Sequence, residues 1–297
     1  MSTADVAAPP AAGAQLRAVA GWFRLLRSEL RLTFGRKRNL VLLAVLSAVP
    51  VLLGLVLRFS SGAGNGGGGG GNGDGPAFLS QVTGNGVFLA FLTLVVESTL
   101  ILPLVVAIVT GDSIAGEANR GTLRYLLTVP SGRTRLLGIK LTANVAFCVG
   151  ACLAVSAVAV AVGAILFPVG PVTLLSGNAV PLGEGLLRLL LVTLYLAAAM
   201  AALGAIGLAI STLTEHPIGA IAAVLVIALA SEVADSVSQL DAIHPYLPTH
   251  WWLSFDALLR VPIVWPELGH GLLSFAFYIV IFGSVAWARF TTADVTS

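Results

Sequence analysis

The run NLVLLAVLSAVPVLLGLVL, residues 39–57, carries no charged side chain and is long enough to cross a bilayer. A hydrocarbon core about 30 Å thick needs roughly 20 apolar residues in a helix. Lipid offers backbone groups no hydrogen bonds, so such a run can only be a helix that satisfies its own. Five further apolar runs follow, at 86–111 with one glutamate inside, 141–167, 189–213, 217–234 with Glu232 near its end, and 271–288. The expected fold is therefore an all-α integral membrane protein with six transmembrane helices. Composition agrees: 57% of the residues are hydrophobic and 10% charged, where a soluble domain carries about 25% charged residues. Two cysteines, Cys148 and Cys152, stand four apart inside one apolar run and read as small buried hydrophobes.

The net charge of +2 says less than the placement of the charges. Arg17, Arg24, Arg27, Arg31, Arg36, Lys37 and Arg38 precede the first span. Arg120, Arg124, Arg133, Arg135 and Lys140 lie between the second and third. Lys and Arg collect on the cytoplasmic side, so both termini and the 112–140 segment are expected in the cytoplasm, in a multi-pass protein of the cell membrane. Residues 1–14 lack the basic and apolar regions of a secretory signal and read as a disordered cytoplasmic tail. Residues 291–297 form a second tail, and 39–290 form the six-span domain.

Residues 15–38 read as an interfacial amphipathic helix. Arg17, Arg24, Arg31 and Arg38 recur every seven residues, within about 60° on a helical wheel. Val19, Trp22, Phe23, Leu26, Leu30 and Phe34 cluster opposite them. The tract GAGNGGGGGGNGDG at 62–75 lacks the Gly-Lys-Ser/Thr ending of a phosphate loop and reads as an outer tether. No other stretch matches such a loop, so no cofactor is expected on this chain. Before the last span, Trp251, Trp252 and Trp265 suggest an outer aromatic belt on short surface helices. Glu232, Asp241, His244 and His250 share that segment in a spacing that fits no recognised ligand set, so no metal site is expected.

Within the spans, Glu97 with Thr93 one turn away marks a possible substrate path, because a carboxylate at that depth normally faces a bundle interior or cavity. Pro103 is expected to kink the second span. Ala197, Ala201, Ala205 and Ala209 form a small-residue face for close helix packing, within the chain or with a second copy. No catalytic constellation is present, and no nucleic-acid partner is implied.

The polar insert GEANRGTLRYLLTVPSGRTRLLGIK, residues 116–140, interrupts this pattern. Leu123, Leu126 and Leu127 share one face of a short helix that Pro130 ends, and Ser131 can cap the helix that follows. The insert resembles the signature of ABC-2 type transporter permeases, the transmembrane subunits of ABC exporters. Glu117, Gly121, Thr122, Leu123, Leu126, Leu127, Pro130, Arg133 and Lys140 occupy the family's positions. The resemblance implies a half-transporter, a transport subunit with no enzyme activity of its own. It implies a second permease copy, as homodimer or with a related permease, in the lipid bilayer. It implies a separate ATP-binding cassette ATPase that carries ATP and Mg. It makes 121–127, Arg124 included, a cytoplasmic coupling helix that enters the ATPase, with Glu117 holding it against the N-terminal helix. Export of a drug-like compound or lipid is the leading expectation. Polysaccharide, ion or haem-like cargo is the alternative, and a stand-alone secondary transporter fits less well, since Glu97 is the single central carboxylate and no internal repeat is apparent.

Overall fold

The computed structural model describes residues 12–63, 85–121, 133–174 and 176–292, with side chains from Gly21 to Phe59 in the first segment and from Thr134 in the third. The structure is helical apart from a two-residue antiparallel ladder, Val172–Thr173 with Ala179–Val180. Helix α1 (Ala12–Gly35) meets α2 (Lys37–Ala63) at a one-residue bend on Arg36. Asn39 braces that bend by donating from Nδ2 to the Thr33 carbonyl at 2.7 Å. Then follow α3 (Phe88–Thr99), α4 (Ile101–Asn119), α5 (Arg133–Leu166), α6 (Leu182–Leu213), α7 (Pro217–Asp235) and α8 (Trp265–Thr292). Among the described residues, six of these helices are long and apolar enough to cross a membrane: α2, α4, α5, α6, α7 and α8.

The expected second span is not one kinked helix. It divides at Leu100, whose backbone (φ −144°, ψ −48°) interrupts the ladder between α3 and α4. Pro103 explains the place: its ring would collide with the Thr99 carbonyl four residues earlier, and it brings no N–H. Three positions into a helix neither deficit matters, because the first N–H groups have no partner anyway. Helix α4 then runs on to Asn119 and stops where Gly121 takes φ +70°, with its N–H on the Ala118 carbonyl at 2.9 Å. That left-handed position suits glycine and closes the helix.

Helix α5 is 34 residues long, about 51 Å at 1.5 Å per residue, so its N-terminal turns extend well beyond a hydrocarbon core. α6 is the central post. Its Ala197, Ala201, Ala205 and Ala209 are all buried inside the chain, which assigns the small-residue face to internal packing. α7 starts on Pro217 at its first turn, where a missing N–H is harmless.

Helix α1 lies against α5 as well as facing outward. Phe34 packs on Phe147 with ring centroids 5.8 Å apart, while Phe23 is 60% exposed and leaves the apolar face expected of it. The segment from 236 to 264 is a cap of three 3₁₀ turns at the end of the bundle opposite α1. The aromatic belt needs correction there. Trp265 is exposed, but Trp252 is buried in the core, and Trp251 is half-buried with its indole N–H on the Pro245 carbonyl.

The entry to α3 touches α5 backbone to backbone. A Cβ on Gly86 or on Gly163 would overlap the carbonyl of the other. Gly163→Ala must push the two segments apart, at a cost of about 1–3 kcal/mol. A lower thermal midpoint of the detergent-solubilised protein, with unchanged membrane insertion, is the expected result.

Candidate functional site

Two ionic nodes sit at the bundle end that carries the α1–α2 bend. They are built by opposite charges brought together from distant parts of the sequence. In the first, Lys140 on α5 points its ammonium inward, with the side chain only 3% exposed. Its Nζ donates to Glu117 Oε1 on α4 at 2.8 Å, to Glu29 Oε1 on α1 at 3.1 Å and to the Ser113 carbonyl at 3.0 Å. An ammonium has three donors, and all three are used, on two helices besides its own.

In the second node, Asp112 on α4 is buried and gathers guanidinium groups. Arg38 stands 2.9 Å from Oδ2, Arg36 3.3 Å and Arg120 3.6 Å. Arg36 is the bend between α1 and α2 and Arg38 lies in the first turn of α2, so this node braces the angle at which the N-terminal helix leaves the bundle. Burial of the carboxylate lowers the dielectric and strengthens each contact, while the arginines stay partly hydrated.

The nodes lie five residues apart along α4, at 112 and 117, just before the helix ends at Asn119. Any displacement of the segment joining α4 to α5 therefore reaches α1, α2, α4 and α5 through buried charge pairs. A third device ties α4 to the central post. Ser211 of α6 accepts from the Ile114 and Ala115 N–H groups and donates to the Gly111 carbonyl, at 3.1, 2.9 and 2.8 Å.

Among the expected site residues, Glu117 lies in the first node and Gly121 ends α4. Thr122, Leu123, Arg124, Leu126, Leu127 and Pro130 lie outside the described residues, as does Ser131, and Arg133 opens α5 with its side chain outside the described set. Glu29 and Asp112 escaped the sequence reading. The available signal was the mismatch of an acidic group against a basic rim, at Asp112 directly after an apolar run.

Glu97 and Thr93 are both fully buried on α3. They are not paired: Thr93 donates to the Leu89 carbonyl of its own helix, and neither Glu97 oxygen has a hydrogen-bond partner among the described residues. The helix that carries Glu97, α3, packs against α5. Lys140, Asn144, Cys148, Cys152 and Ser156 of α5, each four residues on, are all buried, and Ser156 meets Thr193 of α6 at 2.7 Å. The two cysteines thus belong to a series of buried polar groups that winds around α5, from the α1 and α4 side at Lys140 to the α6 side at Ser156, in a run that reads as apolar. At the opposite end of the bundle, an open cavity of about 410 Å³ is lined by Phe88, Phe91 and Val95 of α3 and by cap residues from His250 to Leu259. Glu97 is not part of that lining.

Residues 38–238, about two thirds of the chain, match the family described as ABC-2 family transporter protein. The match runs from the start of α2 into the cap beyond α7 and so includes both α4 and α5 with the segment between them. No curated protein matches the sequence. The chain belongs to the ABC-2 family transporter proteins, as a multi-pass permease of the ATP-binding cassette type.

Proposed function

We propose that this permease is one transmembrane half of an exporter that moves an amphiphilic compound, drug-like or lipid, out of the cell. Its family implies association with an ATP-binding cassette ATPase. In this reading the ATPase is a separate subunit that carries the ATP and Mg, and a second permease copy completes the path. In this reading both termini and the 112–140 segment face the cytoplasm, and the excess of basic residues in α1, α2 and the α4–α5 connection supports that orientation.

The observation that carries the reading is the pair of buried ionic nodes at the base of that connection. A surface loop that merely joined two spans would not need Lys140 and Asp112 to bind it to four helices. Force applied by the ATPase at 121–127 would pass through α4 and α5 into Glu117, Lys140 and Asp112. From there it would rotate α1 and shift the spans together. Leu123, Leu126 and Leu127 supply the apolar contact with the ATPase, and Thr122, Arg124, Pro130 and Arg133 shape its rim.

Changing Leu126 and Leu127 together to Asp tests the docking. Two charges in a desolvated contact weaken binding by at least about tenfold, so the co-expressed ATPase should no longer co-purify with the permease. The permease alone should keep its elution profile. Retained co-purification with normal transport would overturn the assignment.

A further inference from the structure

A second polar cluster occupies the opposite end of the bundle, where the cap folds back on the last turn of α7. Asp235 ends that helix, and both His244 and His250 of the cap face its carboxylate. His250 Nδ1 lies 2.6 Å from Asp235 Oδ1, and His244 Nδ1 lies 3.9 Å from the same oxygen. One potential ligand atom from each residue falls within 4.8 Å of the other two, and all three side chains are half-buried. Asp241 brings a further oxygen to 3.6 Å from His244 Nδ1.

The tautomer of His244 is informative. Its Nε2 lies 3.2 Å from the Val237 carbonyl, which only accepts, so Nε2 bears a proton. In the neutral ring Nδ1 then presents a lone pair toward two carboxylates, Asp235 and Asp241. Lone pairs converging on one point repel unless a cation stands between them. A backbone carbonyl holding the far N–H is also the arrangement that orients a metal-binding imidazole.

We propose that Asp235, His244 and His250 bind a zinc ion, with Asp241 or a water in the fourth position. Zinc takes imidazole nitrogen and carboxylate oxygen at about 2.0–2.2 Å in tetrahedral geometry, which sets ligand atoms roughly 3.4 Å apart. The separations of Asp235 Oδ1 from the two imidazole Nδ1 atoms, 2.6 and 3.9 Å, bracket that value. Two imidazoles select against calcium and magnesium, which favour all-oxygen shells. The sequence spacing concealed this group because Asp235, rather than Glu232, is the carboxylate brought to the histidines. Glu232, three residues earlier on α7, is exposed and is not among the three grouped residues. His250 also lines the 410 Å³ cavity, so the ion pins to α7 the cap that forms one wall of that cavity. The proposal does not depend on the export reading.

Calorimetric titration of the full chain in lipid nanodiscs with Zn²⁺ alone tests the site. A single zinc per chain is expected, with affinity reduced at least about tenfold by His244→Gln or His250→Gln and unchanged by Glu232→Gln. Zinc should raise the melting midpoint of the unaltered chain and not that of Asp235→Asn. Co²⁺ should give tetrahedral d–d absorption that His250→Gln abolishes. The Gln variants keep hydrogen-bonding capacity, and the unchanged elution of each confirms that it folds. If the unaltered chain takes up no stoichiometric zinc, or the double His244→Gln/His250→Gln variant binds it equally well, the proposal fails and the cluster is a hydrogen-bonded His–Asp group that only braces the cap.

Discussion

Lys140→Met is expected to destabilise the folded permease by about 3–5 kcal/mol, the cost of breaking a buried ion pair by removing one partner. Methionine matches the length and apolar stem of lysine, so packing along α5 is nearly kept and the loss is electrostatic. Glu117 is left buried beside Glu29 without the ammonium that joined them, and the Ser113 carbonyl loses its donor. Both carboxylates are then drawn toward water, and α1 is released from the α4–α5 pair. Denaturant titration in detergent micelles would measure the loss. Glu117→Gln alone should cost less, because Lys140 retains Glu29. Combined with Lys140→Met it should restore part of the stability, as a double-mutant cycle reads out for two groups in contact. Purely additive effects would show that the Lys140–Glu117 contact at 2.8 Å carries no coupling.

Arg188→Met should have the next largest effect, about 3 kcal/mol. Arg188 is buried on the first turns of α6 and holds the cap by its backbone. Its Nη1 donates to the Leu258 carbonyl at 2.6 Å and the Arg260 carbonyl at 3.1 Å, while Nε and Nη2 both reach Glu184 Oε1. Loss of the guanidinium leaves two carbonyls without that donor and frees the 3₁₀ turn Ser254–Leu259 from α6. Limited proteolysis would report this directly: cleavage between Leu253 and Ile263 should accelerate while the helices stay protected. An unchanged cleavage pattern would mean that apolar packing of Phe255, Leu258 and Leu259 holds the cap unaided.

The helices were legible in the sequence because an apolar run has few alternatives once the solvent is lipid. The end of α4 was partly legible too, as Asp112 stays compatible with helix and Gly121 follows within three turns. What could not be read is which charges meet. Arg36 and Asp112 are 76 positions apart and Lys140 and Glu29 are 111 apart, and a count of basic residues by loop sorts them by side without pairing them. Arg38, expected on the basic stripe of the interfacial helix, turns instead to the buried Asp112. Likewise the tryptophans were read from their type alone, whereas Trp252 is buried by the fold of the cap. Pro103 was correctly marked as a disruption, but its effect appears three residues earlier, at Leu100, because the steric conflict lies with the preceding turn. The polar groups from Lys140 to Ser156 needed the neighbouring helices to show that each is buried, because α5 is surrounded on several sides.

The division at Leu100 separates two helices with different allegiances. α3 is moored to the far end, where Asn85 Nδ2 bonds the Gly170 and Pro171 carbonyls at 3.0 and 2.8 Å. α4 is moored to the ionic nodes and, through Ser211, to the central post. An unbroken helix would convey torsion from one end to the other, so that neither could turn without the other. Here the break at Leu100 leaves no such continuous ladder between the two moorings. The two ends are therefore held by separate moorings, as in a canal lock whose gates are worked by separate winches.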